Sequence, residues 1–295
     1  MLYHTNSNTD VKSVHGGEHL NHKDLRVKYY IYDTLVFLYV IVCLLIISSC
    51  AYVAFGIEKF EDDIKNSHIT SMSFFNDADL VDIKFLKNFP NLRELDLSWT
   101  SVGDNYKDLA CLKKLEKLNL IGCHIETAAY LKNIPSLKYL KISAPSTMGE
   151  IVDDLKQIPT LEGLTITGDV KGIERLGEIA TLHRLNLKGI FNASSEDDVF
   201  PSLNFLTSLN LLRDLDLSHS EEIFSVYPLS KMLSLETINL SSCCNLSNLK
   251  SLSSLVNLRV LDVSHITEFH NKTLREDIAL LRGLPKLESL LTSLK

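Results

Sequence analysis

The 295-residue chain has little that would disorder it, cross-link it or arm it chemically. Only 7 Pro and 12 Gly stand against 45% apolar residues, which excludes a chain disordered throughout. Its 6 Cys form no disulfide framework. Cys43 and Cys50 sit inside an apolar run, Cys243 and Cys244 are adjacent, and no CxxC pair offers zinc-ribbon spacing. They read as free thiols, most of them buried. No GxxxxGK[ST] phosphate loop, GxSxG elbow or HExxH helix occurs. The histidines after residue 60 are single and scattered, so no enzyme activity, cofactor or metal ion is expected. His15, His19 and His22 could chelate a metal on a helix, but Gly16 and Gly17 disfavour one there. Net charge is −7, and residues 1–57 are balanced, so the excess lies in the remainder. A mildly acidic body repels phosphate backbones, and nucleic acid is not an expected partner.

Charge is missing altogether from Thr34 to Ile57 (TLVFLYVIVCLLIISSCAYVAFGI). As a helix this run covers roughly 36 Å, enough to cross a ~30 Å hydrocarbon core with some tilt. A cleaved signal peptide should have a shorter apolar region nearer the start, although SCA at 49–51 could serve as a cleavage site. A retained signal anchor is therefore expected. Lys23, Arg26 and Lys28 precede the run and Lys59 and Lys65 follow it, favouring a cytoplasmic N-terminus and an extracellular or lumenal body. The expected division is a polar, disordered tail at 1–33, a transmembrane helix at 34–57, a linker at 58–68 and an array at 69–295.

The array rests on one recurring phrase. NLRELDLSWT (91–100) returns as LEKLNLIGC, LKYLKISAP, LEGLTITGD, LHRLNLKGI, LRDLDLSHS, LETINLSSC and LRVLDVSHI. Phrases start at Ile69, Leu92, Leu115, Leu137, Leu161, Leu182, Leu212, Leu235 and Leu258, about nine repeats, with a partial phrase, LESLL, at 287–291. In LRDLDLS, Leu215 and Leu217 lie two apart and share one face of a strand, while Asp214, Asp216 and Ser218 face the other way. A downstream set spaced by three (Leu246, Leu249, Leu252, Leu255) suits a 3₁₀ or short helical return. One repeat alone leaves its leucines exposed, so the repeats must stack.

With its L-x-x-L-x-L phrase at periods of 20–29 residues, the chain resembles the leucine-rich repeat family over residues 69–291. VYPLSKMLSLETINLSSCCNLSNLKSLSSLVNLRVLDVSH (226–265) is most similar to the short repeats of bacterial internalins and of trypanosome surface-locus proteins. The resemblance implies an α/β solenoid with parallel strands on a concave face and short helical or 3₁₀ returns on the convex side, here preceded by one transmembrane helix. It also implies that position nine of the phrase points inward and satisfies the turn's backbone. Cys123 and Cys243 occupy that slot, whereas Pro145, Ile190 and Ile266 cannot fill the role by side chain, so irregular turns are expected there.

Such a fold binds through its concave face. The central outward row reads Ser73, Asp96, Asn119, Lys141, Thr165, Asn186, Asp216, Asn239 and Asp262. Lys117, Asn119, Tyr139, Lys141, Arg184, Asn186 and Lys188 are the candidate protein-binding residues, expected to make the middle basic and to take a protein with an acidic patch. The insert at 189–201 is a competing site. Asn192 and Asn271, in sequons within the long repeats, are candidate glycosylation sites if the array faces the lumen. The expected function is a membrane-anchored recognition or adhesion module. The alternative is a cytosol-facing scaffold or regulatory subunit of an enzyme complex.

Overall fold

The computed structural model describes residues 19–21, 68–125, 127–143, 148–168, 172–191, 202–246, 248–266 and 272–293. The uncharged run at 34–57 and the glycosylation candidates Asn192 and Asn271 lie outside them. No helix among the described residues is long and apolar enough to cross a membrane.

Within the described residues, eleven parallel strands form one sheet in chain order. They are β1 (His19–Asn21), β2 (Ser71–Ser73), β3 (Glu94–Asp96), β4 (Lys117–Leu120), β5 (Tyr139–Ser143), β6 (Gly163–Thr167), β7 (Arg184–Asn186), β8 (Asp214–Asp216), β9 (Thr237–Asn239), β10 (Val260–Val263) and β11 (Ser289–Thr292). The register stacks Met72, Leu95, Leu118, Leu140, Leu164, Leu185, Leu215, Ile238 and Leu261 in one buried column. A second column runs from Phe74 through Leu97, Leu120, Ile142, Ile166, Leu187, Leu217 and Leu240 to Val263. The alternation reads as expected from β2 to β10, where every other side chain is buried. The partial phrase at 287–291 supplies a full strand, β11, paired in register with β10.

Most returns are 3₁₀ turns, such as Ala129–Asn133 and Lys250–Ser254, each of which buries a leucine (Leu131, Leu252). Two returns are α-helices instead, α1 (Met148–Leu155) and α2 (Lys272–Leu281). Their apolar residues fall at helical spacing, with Ile151, Val152 and Leu155 buried in α1 and Leu274, Ile278 and Leu281 in α2. Each helix also supplies a carboxylate to the repeat before it. The Ala128 N–H and Thr127 hydroxyl donate to Asp154, and the Leu249 and Lys250 N–H groups donate to the buried Asp277.

Eight strands, β2 to β4 and β6 to β10, leave the sheet through a left-handed residue. Asn76, Trp99, Gly122, Gly168, Gly189, His219, Ser242 and His265 occupy this place, all with φ between 56° and 95°. The turn is closed by backbone: the N–H groups of Thr100, Cys123, Ile190 and Cys243 donate at 3.2 Å to the carbonyls of Leu97, Leu120, Leu187 and Leu240. The irregularity expected at Ile190 is therefore overturned, because the closing bond needs no side chain. The thiols add a second bond where they occur, Cys123 donating to the Leu97 carbonyl and Cys243 to that of Leu217. Pro145 lies outside the described residues.

A second difference concerns the stretch expected to be a disordered tail. His19, Leu20 and Asn21 pair in parallel with Ser71, Met72 and Ser73. An open sheet edge presents unpaired N–H and C=O groups, and any extended segment in reach satisfies them.

Leu215→Asp is expected to cost several kcal/mol, because it places an unpaired carboxylate in the shared column. Asp216→Leu removes the bonds from the Ser218 N–H and the Asn186 amide and should cost only about 1–2 kcal/mol. Urea midpoints measure the ranking, and equal losses would mean that the inward and outward faces are misassigned. Burial pushes the Cys243 thiol up to about 11. Since the thiolate is the nucleophile, Cys243 should resist alkylation at pH 8 and react only as pH approaches that value or the chain unfolds, whereas the exposed Cys244 should react first. Peptide mass mapping reads both.

Candidate functional site

The concave face is built from the outward positions of β3 to β8. In-register pairing lines up Glu94, Lys117, Tyr139, Gly163, Arg184 and Asp214 along the first outward row. Neighbouring strands lie about 4.8 Å apart, so Tyr139 and Arg184 are two strands, roughly 10 Å, from each other. Gly163 lets them meet. A Cβ there would stand 2.6 Å from Tyr139 Cδ1 and 3.6 Å from Arg184 Cβ, so the tyrosine ring lies across the glycine. The Arg184 guanidinium carbon sits 5.6 Å from the ring centroid, within cation–π range. The Tyr139 hydroxyl donates to Glu162 at 3.4 Å.

This group lines an open trough of about 490 Å³ with Lys117, Lys141, Thr165 and Asn186. A second trough of about 320 Å³ continues from it toward β2 and shares Lys117, Tyr139 and Lys141. The two troughs thus bring together all the expected candidates but Lys188, with one change in their electrostatics. Lys117 pairs with Glu94 at 2.6 Å and Arg184 with Asp214 at 2.9 Å. The middle is therefore less basic than its sequence implies, because each of these cations carries a carboxylate from the adjacent strand. Lys141 and Lys188 are exposed and make no ion pair among the described residues.

Asn119 and Asn186 do a different job from the rest. The Ile121 N–H donates to Asn119 Oδ1 and the Lys188 N–H to Asn186 Oδ1, closing the strand end as an Asx-turn. Their amide groups donate in turn to Asp96 and Asp216. Asp96, Asp216, Asn239 and Asp262 accept from the residue two places on in the same way. This row holds backbone, whereas Lys117, Tyr139, Lys141, Arg184 and Lys188 close no strand end.

Sequence reasoning passed over position two of the phrase, which reads Arg93, Glu116, Lys138, Glu162, His183, Arg213, Glu236, Arg259 and Glu288. The sign alternates along the stack, and ion pairs join Arg93–Glu116, Arg213–Glu236 and Arg259–Glu288. Opposite charges on adjacent in-register strands favour this stacking over a shifted one. The signal was there to be read, in the residue after each phrase-opening leucine.

At the competing site, residues 192–201 lie outside the described residues. Beside them, buried Phe191 and the exposed Phe224 and Tyr227 line a pocket of about 470 Å³ with Leu203 and Pro228. The ladder runs on past the insert: Leu185 still faces Leu215, and the Gly189 N–H donates to the Ser218 carbonyl.

A profile of the leucine-rich repeat region matches residues 68–295. Among curated relatives, "Receptor like protein 22" of Arabidopsis thaliana is 30% identical over 107 residues, which is 35% of this chain and 14% of that protein. "Volume-regulated anion channel subunit LRRC8B" of Mus musculus is 32% identical over 160 residues, covering 50% of this chain and 19% of that protein. The chain thus spans less than a fifth of either relative's length. Among solved structures, an internalin (inlF) from Listeria monocytogenes superposes with a TM-score of 0.51 at 21% identity, over 76% of this chain and 61% of that one. A Leptospira interrogans leucine-rich repeat protein gives 0.52 at 18%, over 79% and 62%. At these identities the likeness is one of fold.

Gly163→Val should keep or raise thermal stability, since a β-branched residue suits a strand, yet it must push the Tyr139 ring off Arg184. Tyr139→Ala and Arg184→Gln should each change stability by less than about 1 kcal/mol, because exposed ion pairs and cation–π contacts contribute little. Urea titration of the three variants checks this, and a loss of several kcal/mol in either of the last two would make them core residues.

Proposed function

Because the chain belongs to the leucine-rich repeat family, we propose that its array is a protein-binding recognition module whose partner sits on the concave face at β4 to β7. The observation that carries this reading is the Tyr139 ring laid across Gly163 onto Arg184 in an open trough. Rigid aromatics and arginines at the centre of a surface supply most binding energy, and rim residues little. Lys117, Lys141 and Lys188 flank the pair and favour an acidic patch on the partner. The pairing of Lys117 with Glu94 and Arg184 with Asp214 makes the salt dependence of binding modest.

The module is tethered, in this reading, by residues 34–57 as a single-pass signal anchor, with a cytoplasmic N-terminus, an extracellular or lumenal array, and glycans on Asn192 and Asn271. Support comes from the length of the uncharged run and from curated relatives whose names are those of a receptor-like protein and a channel subunit. A single pass puts residues 1–33 and the array on opposite sides of the bilayer, so β1 must then leave β2. One observation favours the alternative, a cytosol-facing scaffold or regulatory subunit: β1 and β2 are paired, which holds both ends of residues 22–70 on one side. Protease protection on sealed vesicles with glycosidase treatment separates the two. A protected array with no glycosidase-sensitive mass at Asn192 or Asn271 supports the scaffold.

For the site itself, Tyr139→Ala/Arg184→Ala should weaken capture of the partner at least about tenfold, while deletion of 190–200 leaves it intact. Full affinity in the double variant and loss in the deletion would move the site to the insert.

A further inference from the structure

The first three repeats expose apolar side chains on the rim where their strands end. Phe75 is 63% exposed and Trp99 57%, with the half-buried Ile121 on the next rung. The ladder brings the three to one rim: the Phe74 and Asn76 N–H groups donate to the Asp96 and Ser98 carbonyls, and the Trp99 N–H donates to that of Ile121. Trp99 has φ 60°, in the left-handed region that the other described repeats give to Asn, Gly, Ser or His. A bulky residue there costs about 1–3 kcal/mol of backbone strain. Its ring lies against Gly122, where a Cβ would stand 2.4 Å from Trp99 Cδ2. One face of the indole is therefore held on the next turn and the other is presented to the surroundings. This is the chain's single tryptophan.

Residues 58–68 alone separate the uncharged run from the array, and eleven residues reach at most about 40 Å. Phe75 and Trp99 belong to the first two repeats after that link, so they lie at the end of the array tied closest to the run. Indole and phenyl rings prefer the boundary between headgroups and acyl chains. In the same first repeat Asp82 is paired with Lys84 at 3.2 Å, and Asp77, Asp79 and Lys87 are its other charges, so it offers anionic headgroups no positive surplus.

We propose that the Phe75–Trp99–Ile121 rim docks on the neutral lipid interface of the bilayer that holds residues 34–57, laying the first repeats on the membrane and leaving the Tyr139–Arg184 trough free for a partner. The proposal rests on the reading of residues 34–57 as a membrane span. Because Trp99 is the only tryptophan, its fluorescence reports the contact directly. The full chain is reconstituted into phosphatidylcholine vesicles, recovered by flotation, and compared in ordinary lipid and in lipid brominated high on the acyl chains. Docking blue-shifts Trp99 emission, brominated lipid removes most of it, and Phe75→Ser restores it while the chain still floats. A chain that floats with Trp99 unquenched and unshifted overturns the docking but not the span, and leaves the rim for a protein partner. A chain that does not float overturns both.

Discussion

No repeat in this chain can bury its own leucines, and the rest of the structure depends on that. Leu215, in the three-residue strand β8, and Leu217, just beyond it, are both buried, and they reach an interior only when the neighbouring repeats supply its walls. In-register parallel pairing answers the need, since it stacks like positions at a fixed spacing from β2 to β11. The same spacing sets the distances on the outer face. Tyr139 and Arg184 meet because two strand spacings match the reach of a ring laid flat, and because the residue between them has no side chain. Extra residues cannot enter the ladder without breaking the columns. Across the long repeat that follows β7, the register of β7 with β8 is unbroken.

The polar residues complete what the leucines begin. Parallel strands this short end before their backbone groups are all paired, and an Asp or Asn of the central row closes the end of six of them, β3, β4 and β7 to β10. The alternating charges at position two favour the observed order of rungs. Asp154 and Asp277 cap the returns of the repeats before them. Carboxylates spent on internal pairing also offset the cations of the concave centre, with Glu94 on Lys117 and Asp214 on Arg184.

The fold was legible because its signal is periodic. Leu at positions one, four and six recurs too often for another architecture, and the strand faces follow from Leu215 and Leu217 alone. The site was legible in part. Tyr139, Lys141 and Arg184 could be placed on the concave face by counting, but their contacts could not: the role of Gly163 depends on where a ring lies, and the pairing of Arg184 with Asp214 on which rotamers meet. The second role of Asn119 and Asn186, closing their strand ends, could not be read either, because an Asx-turn and an outward polar residue look alike in a phrase. β1 was invisible for a different reason. HLN carries no repeat pattern, and only the open edge of β2, fifty residues downstream, gives it a place.

If the stack is held by shared columns, it should behave as one body across the 192–201 insert, with the ends fraying first. Native-state hydrogen exchange on the full chain tests this most directly. One continuous array gives its strongest protection to the amides of β4 to β9, including the Gly189 and Leu187 N–H groups that bridge the long repeat, and declining protection toward β2 and β11. Weak protection at Leu187 and Gly189 between two independently protected blocks would contradict it, since the columns would then end at the insert.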